Sequence, residues 1–163
     1  MNRPSIVLLL LASCLWIGCG RKSKTVTGPD GSKATITQKG GGTEITITGA
    51  KGETIQVAGN ESGVTLPEGF PNDVPIYAGA KVNTSAKSKD NMTVVLTTTD
   101  PAKTVMDFYG ERLKANGWDI KTTMNTEDGG MVMATKGKST CTVYVGRGDK
   151  QTTVSLAVAV TEE

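Results

Sequence analysis

The chain has 163 residues, with 18 Lys plus Arg against 16 Asp plus Glu, no histidine, three cysteines and twenty glycines. That length suits one domain with a small appendage and argues against a multidomain enzyme, while the near balance of charge lacks the basic surplus with which a nucleic-acid binder displaces phosphate counterions. The lack of histidine removes His-dependent triads, zincins and most catalytic zinc sites, so no metal, no cofactor and no nucleic acid is expected.

The first elements in chain order are those of an export signal. Met1 to Ser5 carries one positive charge at Arg3, and Ile6 to Ile17 (IVLLLLASCLWI) has no charged residue, as in the n-region and h-region of a secretory signal. About 12 residues span only ~18 Å as a helix, short of the ~30 Å hydrocarbon core of a bilayer, so the segment targets the chain and does not anchor it. The run ends at Gly18-Cys19 and is followed at once by Gly20-Arg21-Lys22-Ser23-Lys24.

Gly18-Cys19 resembles the end of the bacterial lipoprotein lipobox, although Trp16 stands where Leu is usual. The resemblance implies cleavage before Cys19 and acylation of that residue, with the chain attached to a membrane through two or three acyl chains. Each buried methylene adds ~0.8 kcal/mol of membrane affinity, so several chains hold where one binds reversibly. Leu11-Ala12-Ser13-Cys14 is a competing frame, but it leaves a signal with an apolar run of only about seven residues, at the lower limit of an h-region. Gly20 after the cysteine, in place of the Asp associated with inner-membrane retention, implies the outer membrane facing the periplasm in an organism with two membranes. Loss of the signal removes Arg3 and leaves 17 basic against 16 acidic groups.

Residues 19–33 read as a flexible tether, polar and glycine-bearing. Residues 34–63 hold three period-2 runs, at 34–38, 43–48 and 53–58, between Lys39-Gly40-Gly41-Gly42 and Gly49-Ala50-Lys51-Gly52, and predict a small β-meander with one apolar face made of Ile36, Ile45, Ile47, Ile55 and Val57. Burying five such side chains at ~1.5–3 kcal/mol each does not clearly exceed the ordering cost of about 25 residues, so the meander must dock on something or remain mobile. The glycines at 40–42 are followed by a second strand in place of the helix of a phosphate loop, and Gly137-Lys138-Ser139 has its nearest upstream glycine, Gly130, seven positions away instead of five, so both read as turns.

Residues 64–163 form the main domain. Prolines 67, 71 and 75 forbid helix and central strand, so this lead-in is extended, touching the core through Phe70, Val74, Ile76 and Tyr77. Candidate strands at 81–86 and 92–98 follow. Asp100-Pro101 then offers a capping acceptor and a proline at the first helical position, and Ala102, Val105, Met106, Tyr109 and Leu113 share one helix face that stops at Asn116-Gly117. Four strands close the chain, beginning at Trp118, Gly130, Thr140 and Thr152. In the last, Val154, Leu156, Val158 and Val160 alternate with Thr153, Ser155, Ala157 and Ala159, the pattern of a sheet buried on one side.

The expected fold is α+β: an antiparallel sheet of about six strands with one helix packed on a face, preceded by the β-meander and the tether. The lead-in LPEGFPNDVPIYAGA, the Thr-Thr-Asp step into a helix with Phe108-Tyr109, and Leu113 leading to Asn116-Gly117-Trp118 are similar to a group of uncharacterised bacterial lipoproteins, over roughly Leu66 to Val160. That resemblance implies a fold and a compartment but no activity.

No nucleophile or carboxylate pair emerges. Asp107 and Glu111 are like charges at i, i+4 on a solvated helix face, Glu127-Asp128-Gly129 lacks the alternating oxygens of a calcium loop, and Cys141 lies among hydroxyls and valines with no cation to activate it. The expectation is a non-catalytic, lipid-anchored interaction or structural module of the envelope with an unidentified protein partner. The alternative is a small-molecule binding protein with a pocket between helix and sheet near Tyr109, Trp118 and Tyr144.

Overall fold

A computed structural model of the chain describes residues 22–39, 41–60 and 63–160. The described residues form ten strands and one α-helix. The strands are β1 (Lys22–Thr27), β2 (Lys33–Lys39), β3 (Gly42–Thr48), β4 (Thr54–Gly59), β5 (Lys81–Ser88) and β6 (Asn91–Thr98), then β7 (Asp119–Thr126), β8 (Gly129–Lys136), β9 (Ser139–Arg147) and β10 (Thr152–Ala159). The helix, α1 (Ala102–Ala115), lies between β6 and β7. All ten strands belong to one antiparallel sheet in the order β1-β2-β3-β4-β5-β6-β10-β9-β8-β7. Strands β1–β4 run as consecutive hairpins, the proline-rich lead-in then joins β4 to its antiparallel neighbour β5, β5 and β6 form another hairpin, α1 carries the chain to the far edge, and four more hairpin-linked strands return until β10 pairs with β6.

This corrects the expected fold class: the sheet has ten strands, not six beside a separate meander. The meander does not dock through its side chains. It extends the sheet, with β4 pairing β5 from Ile55↔Ser88 to Gly59↔Thr84, so backbone hydrogen bonds make the junction. The tether is corrected too, since Lys22–Thr27 is a strand in register with β2, from Lys22↔Gln38 to Thr27↔Lys33. Its turn is closed by Asp30, whose carboxylate accepts from the Ser32 hydroxyl at 2.6 Å and backbone amide at 3.1 Å.

The core lies on one side of β5–β10. Met92, Val94 and Leu96 from β6, Val154, Leu156 and Val158 from β10, Cys141, Val143 and Val145 from β9, and Val132 and Ala134 from β8 are all buried. The period of two sets them on a single face, and α1 crosses that face over β7–β9. The helix contributes Ala102, Val105, Met106, Tyr109 and Leu113 to the core. It ends as its sequence directs: Gly117 takes φ +83°, and the Gly117 and Trp118 amides donate to Lys114 O at 3.0 Å and Leu113 O at 2.9 Å.

Its start differs from expectation. Pro101 occupies the N-cap position and no side chain caps the helix, because the Asp100 carboxylate accepts instead from the Tyr77 hydroxyl at 2.6 Å. That bond fastens the proline-rich lead-in, which buries Phe70, Val74 and Tyr77 against the core. Further bonds hold it, from Lys87 Nζ to Glu68 O at 2.7 Å, Asn116 Nδ2 to Asp73 O at 2.8 Å and Lys136 Nζ to the Asp73 carboxylate at 2.6 Å.

Candidate functional site

A cleft of 360 Å3 opens between α1 and strands β7 and β8. Met106 and Val132, both buried, form its floor and half-buried Ile120 gives it an apolar wall, while Asp107, Glu111 and Lys114 from the helix and Thr123 and Asn125 from β7 supply the exposed, mainly polar rim. The lining is more polar than that of a usual small-molecule site, and the volume falls within the usual range of about 300–1,000 Å3.

Two glycines shape this cleft. Gly110 lies in the middle of α1, where glycine costs about 1 kcal/mol relative to alanine, and a Cβ there would meet nothing within 4 Å. The helix therefore gives up propensity at a position with room for a side chain, and the space remains in the cleft. Gly130, at φ +156°, does the opposite: a Cβ would come within 2.0 Å of Met124 O and 2.9 Å of Met106 Cε. Only glycine lets β8 run this close to β7 beneath Met106.

A larger hollow of 490 Å3 lies beside the β3–β4 turn, lined by Lys51, Glu53, Gln56, Glu68, Lys87 and Lys89 among others. Its apolar surface comes from the stems of exposed lysine, glutamate and glutamine side chains, whereas the smaller cleft is walled by helix and strands that pack on the core, and is the better-defined site.

Tyr109, Trp118 and Tyr144 do not converge on a pocket. Tyr109 and Trp118 are buried in the core. Tyr144 projects from the opposite side of β9, because Cys141, Val143 and Val145 take the inner positions of that strand. The Tyr109 hydroxyl and Trp118 Nε1 are buried without a well-formed hydrogen bond, and burial raises the Tyr109 pKa well above that of an ordinary phenol. Asp107, at the exposed rim of the cleft, pairs with Lys103 at 2.7 Å in an i, i+4 bridge.

Cys141 is a free, buried thiol whose pKa burial pushes up to about 12, which keeps it protonated and unreactive at neutral pH. Among the described residues no group of three or more His, Cys, Asp or Glu side chains is placed to hold a metal. Arg147 ties the β9–β10 hairpin to the helix start: its Nη1 donates to Asp100 O at 3.1 Å, to which the Thr152 hydroxyl also donates at 2.6 Å. Cys19, the competing Cys14 and the signal at 1–18 lie outside the described residues.

A family model described as START domain-like matches residues 80–155, just under half of the chain. The match runs from the start of β5 into β10 and includes α1 and every residue lining the cleft. No curated protein and no solved structure matches the chain. The Gly110 position was visible in the sequence as a glycine interrupting a good helix, but periodicity alone gives no sign that it faces an opening.

Proposed function

We propose that this chain is a non-catalytic binding module, held on a bacterial envelope membrane by acyl chains on Cys19, that takes a small molecule with an apolar body and a polar end between α1 and β7–β8. The observation that carries the binding part is the coincidence of the family match with the cleft: START-like domains are generally binding modules, and the matched residues 80–155 include the whole lining. The geometry supports the same reading. Ile120, above a floor of Met106 and Val132, would meet the apolar part of a ligand, and Thr123, Asn125 and the charged groups of the helix would meet its polar end. The anchor rests on the signal and the Gly18-Cys19 junction. No helix among the described residues is long and apolar enough to cross a membrane.

The test of the cleft is thermal unfolding of the protein across a panel of small amphiphiles and metabolites. A ligand that binds only the native state adds about 2.7 kcal/mol of stability at a hundredfold excess over Kd. The expected result is a raised midpoint with at least one ligand class in the wild type and none with Gly110→Leu, whose side chain would fill the opening. Equal shifts in both proteins, or no shift with any compound, would contradict the cleft reading. For the anchor, intact mass of the membrane-extracted protein should show an acylated Cys19 at the N-terminus; any other mature N-terminus contradicts it.

A further inference from the structure

The two ends of the sheet are apolar on opposite sides. Residues paired across antiparallel strands share a face, so the register carries the side facing α1, through Leu96↔Val82 and Val94↔Ser85, into Ala58 of β4, Glu44 of β3 and Thr37 of β2. Along β2–β4 that side, apart from Ala58, is threonine, glutamine and charge. Ile36, Ile45, Ile47, Ile55 and Val57 lie on the other side, which neither the helix nor the lead-in covers.

Of the seven large apolar side chains exposed among the described residues, six belong to this uncovered face: Val26, Ile36, Ile47, Ile55, Met124 and Tyr144. The middle of the face carries little charge. Between β2 and β6 the register places on it only Lys81, at the start of β5, with threonine, serine, alanine, asparagine, glutamine and glycine around the aliphatic residues, while Lys22 and Lys24 of the edge strand β1 lie on it beside Val26. A solvated sheet face normally alternates its apolar side with charged residues, whereas depletion of charge marks the centre of a protein interface.

We infer that this face is a homodimer interface, in which the isoleucine strands of two copies pack sheet on sheet about a two-fold axis. Size supports a second copy as the occupant. Five strands spaced at ~4.8 Å, each about seven residues long at ~3.3 Å per residue, present ~550 Å2, or ~1,100 Å2 in a pair, above the ~1,000 Å2 that a specific interface needs. Two identical sheets have matching twist, the condition for aligned packing with strand directions about 30° apart. Twist of about 20° per strand separates the far corners of such a pair, so the contact centres on β2–β5 and fades towards β7. The inference stands on the register and the exposed side chains, and depends on neither the cleft nor Cys19.

Cysteine cross-linking of the full chain in its native membrane tests it. Ile36→Cys and Ile47→Cys, on the uncovered face, should each give a dimer band with a short bis-maleimide. Thr46→Cys, on the opposite face of the same strands, and the wild type should give none. A second measurement is sedimentation of the purified protein in density-matched detergent, where wild type should run as a dimer and Ile36→Lys/Ile47→Lys as a monomer with an unchanged circular dichroism spectrum. Cross-links only to other proteins, cross-linking equal from both faces, or no dimer band together with a monomeric wild type would overturn the inference. The last of these, combined with flotation of the wild type on anionic vesicles that the double-lysine variant loses, would assign the face to lipid instead.

Discussion

The strands β5–β10 with α1 and the strands β1–β4 share one hydrogen-bonded sheet, yet they are stabilised differently. Every buried side chain among the described residues falls between Phe70 and Val158, and between residues 22 and 60 there is none. The first region is a two-layer structure with helix on sheet, the minimum arrangement that buries a core. The second is a single layer whose ladders are complete and whose isoleucines remain half exposed. Backbone pairing sets its register, but fixing a residue costs about 1–2 kcal/mol in backbone entropy alone, which hydrogen bonds at a net ~1 kcal/mol each do not clearly exceed. Such a wing needs cover on its apolar face.

The comparison can be broken most severely by truncation. Leu156→Ala, at a fully buried position of β10, should cost about 2–5 kcal/mol, whereas Ile47→Ala in the wing should cost less than about 1 kcal/mol in dilute protein, both read from urea midpoints. A similar loss at the two sites would mean that the wing has a core of its own.

Next in size is the alkaline limb. The Cys141 pKa is about 12 in the folded chain against an ordinary 9.0. A raised folded value means that stability is fully present below about pH 9 and is lost as pH climbs towards about 12, by up to about 4 kcal/mol at about 1.4 kcal/mol per unit. Tyr77 and Tyr109, also raised, act in the same direction above about pH 10. Cys141→Ala should flatten the part of the loss that begins near pH 9. Native protein should also resist iodoacetamide at neutral pH and react once unfolded.

Gly130→Ala should destabilise by roughly 2–3 kcal/mol, since its Cβ would strike Met124 O and Met106 Cε at a φ that alanine avoids. Gly110→Ala should do the reverse, raising stability by ~1 kcal/mol and the melting midpoint by roughly 3–5 °C, while narrowing the cleft and weakening any ligand-induced shift. A neutral Gly130→Ala, or a destabilising Gly110→Ala, would show that the β7–β8 approach and the open helix face are drawn wrongly.

Much of the body was legible in the sequence because its elements are buried on one face. The steps from Ala102 to Leu113 gave the helix, the alternation of Val154, Leu156 and Val158 gave the last strand, and Phe70, Val74 and Tyr77 dock as their apolar character suggested. The wing's strands were legible too, but not their attachment. Pairing between β4 and β5 is made by backbone groups that every sequence carries, so it leaves no side-chain signature. Strand β1, KSKTVT, has a single large apolar residue and so reads as tether. The reversal of the apolar side becomes visible only once the register is known.

Of the candidate site, the Tyr144 position could have been excluded from the sequence, because it alternates with Cys141, Val143 and Val145. Asp100 does not cap α1 as its position before Pro101 suggests, because Tyr77, distant in sequence, takes its carboxylate.

The most direct measurement is amide hydrogen exchange, strand by strand, at several protein concentrations. The account predicts that β6, β9 and β10 exchange at a slow rate independent of concentration, while β2–β4 exchange rapidly in dilute solution and gain protection as concentration rises and the isoleucine face is covered. Equal protection of the two regions at every concentration would contradict it.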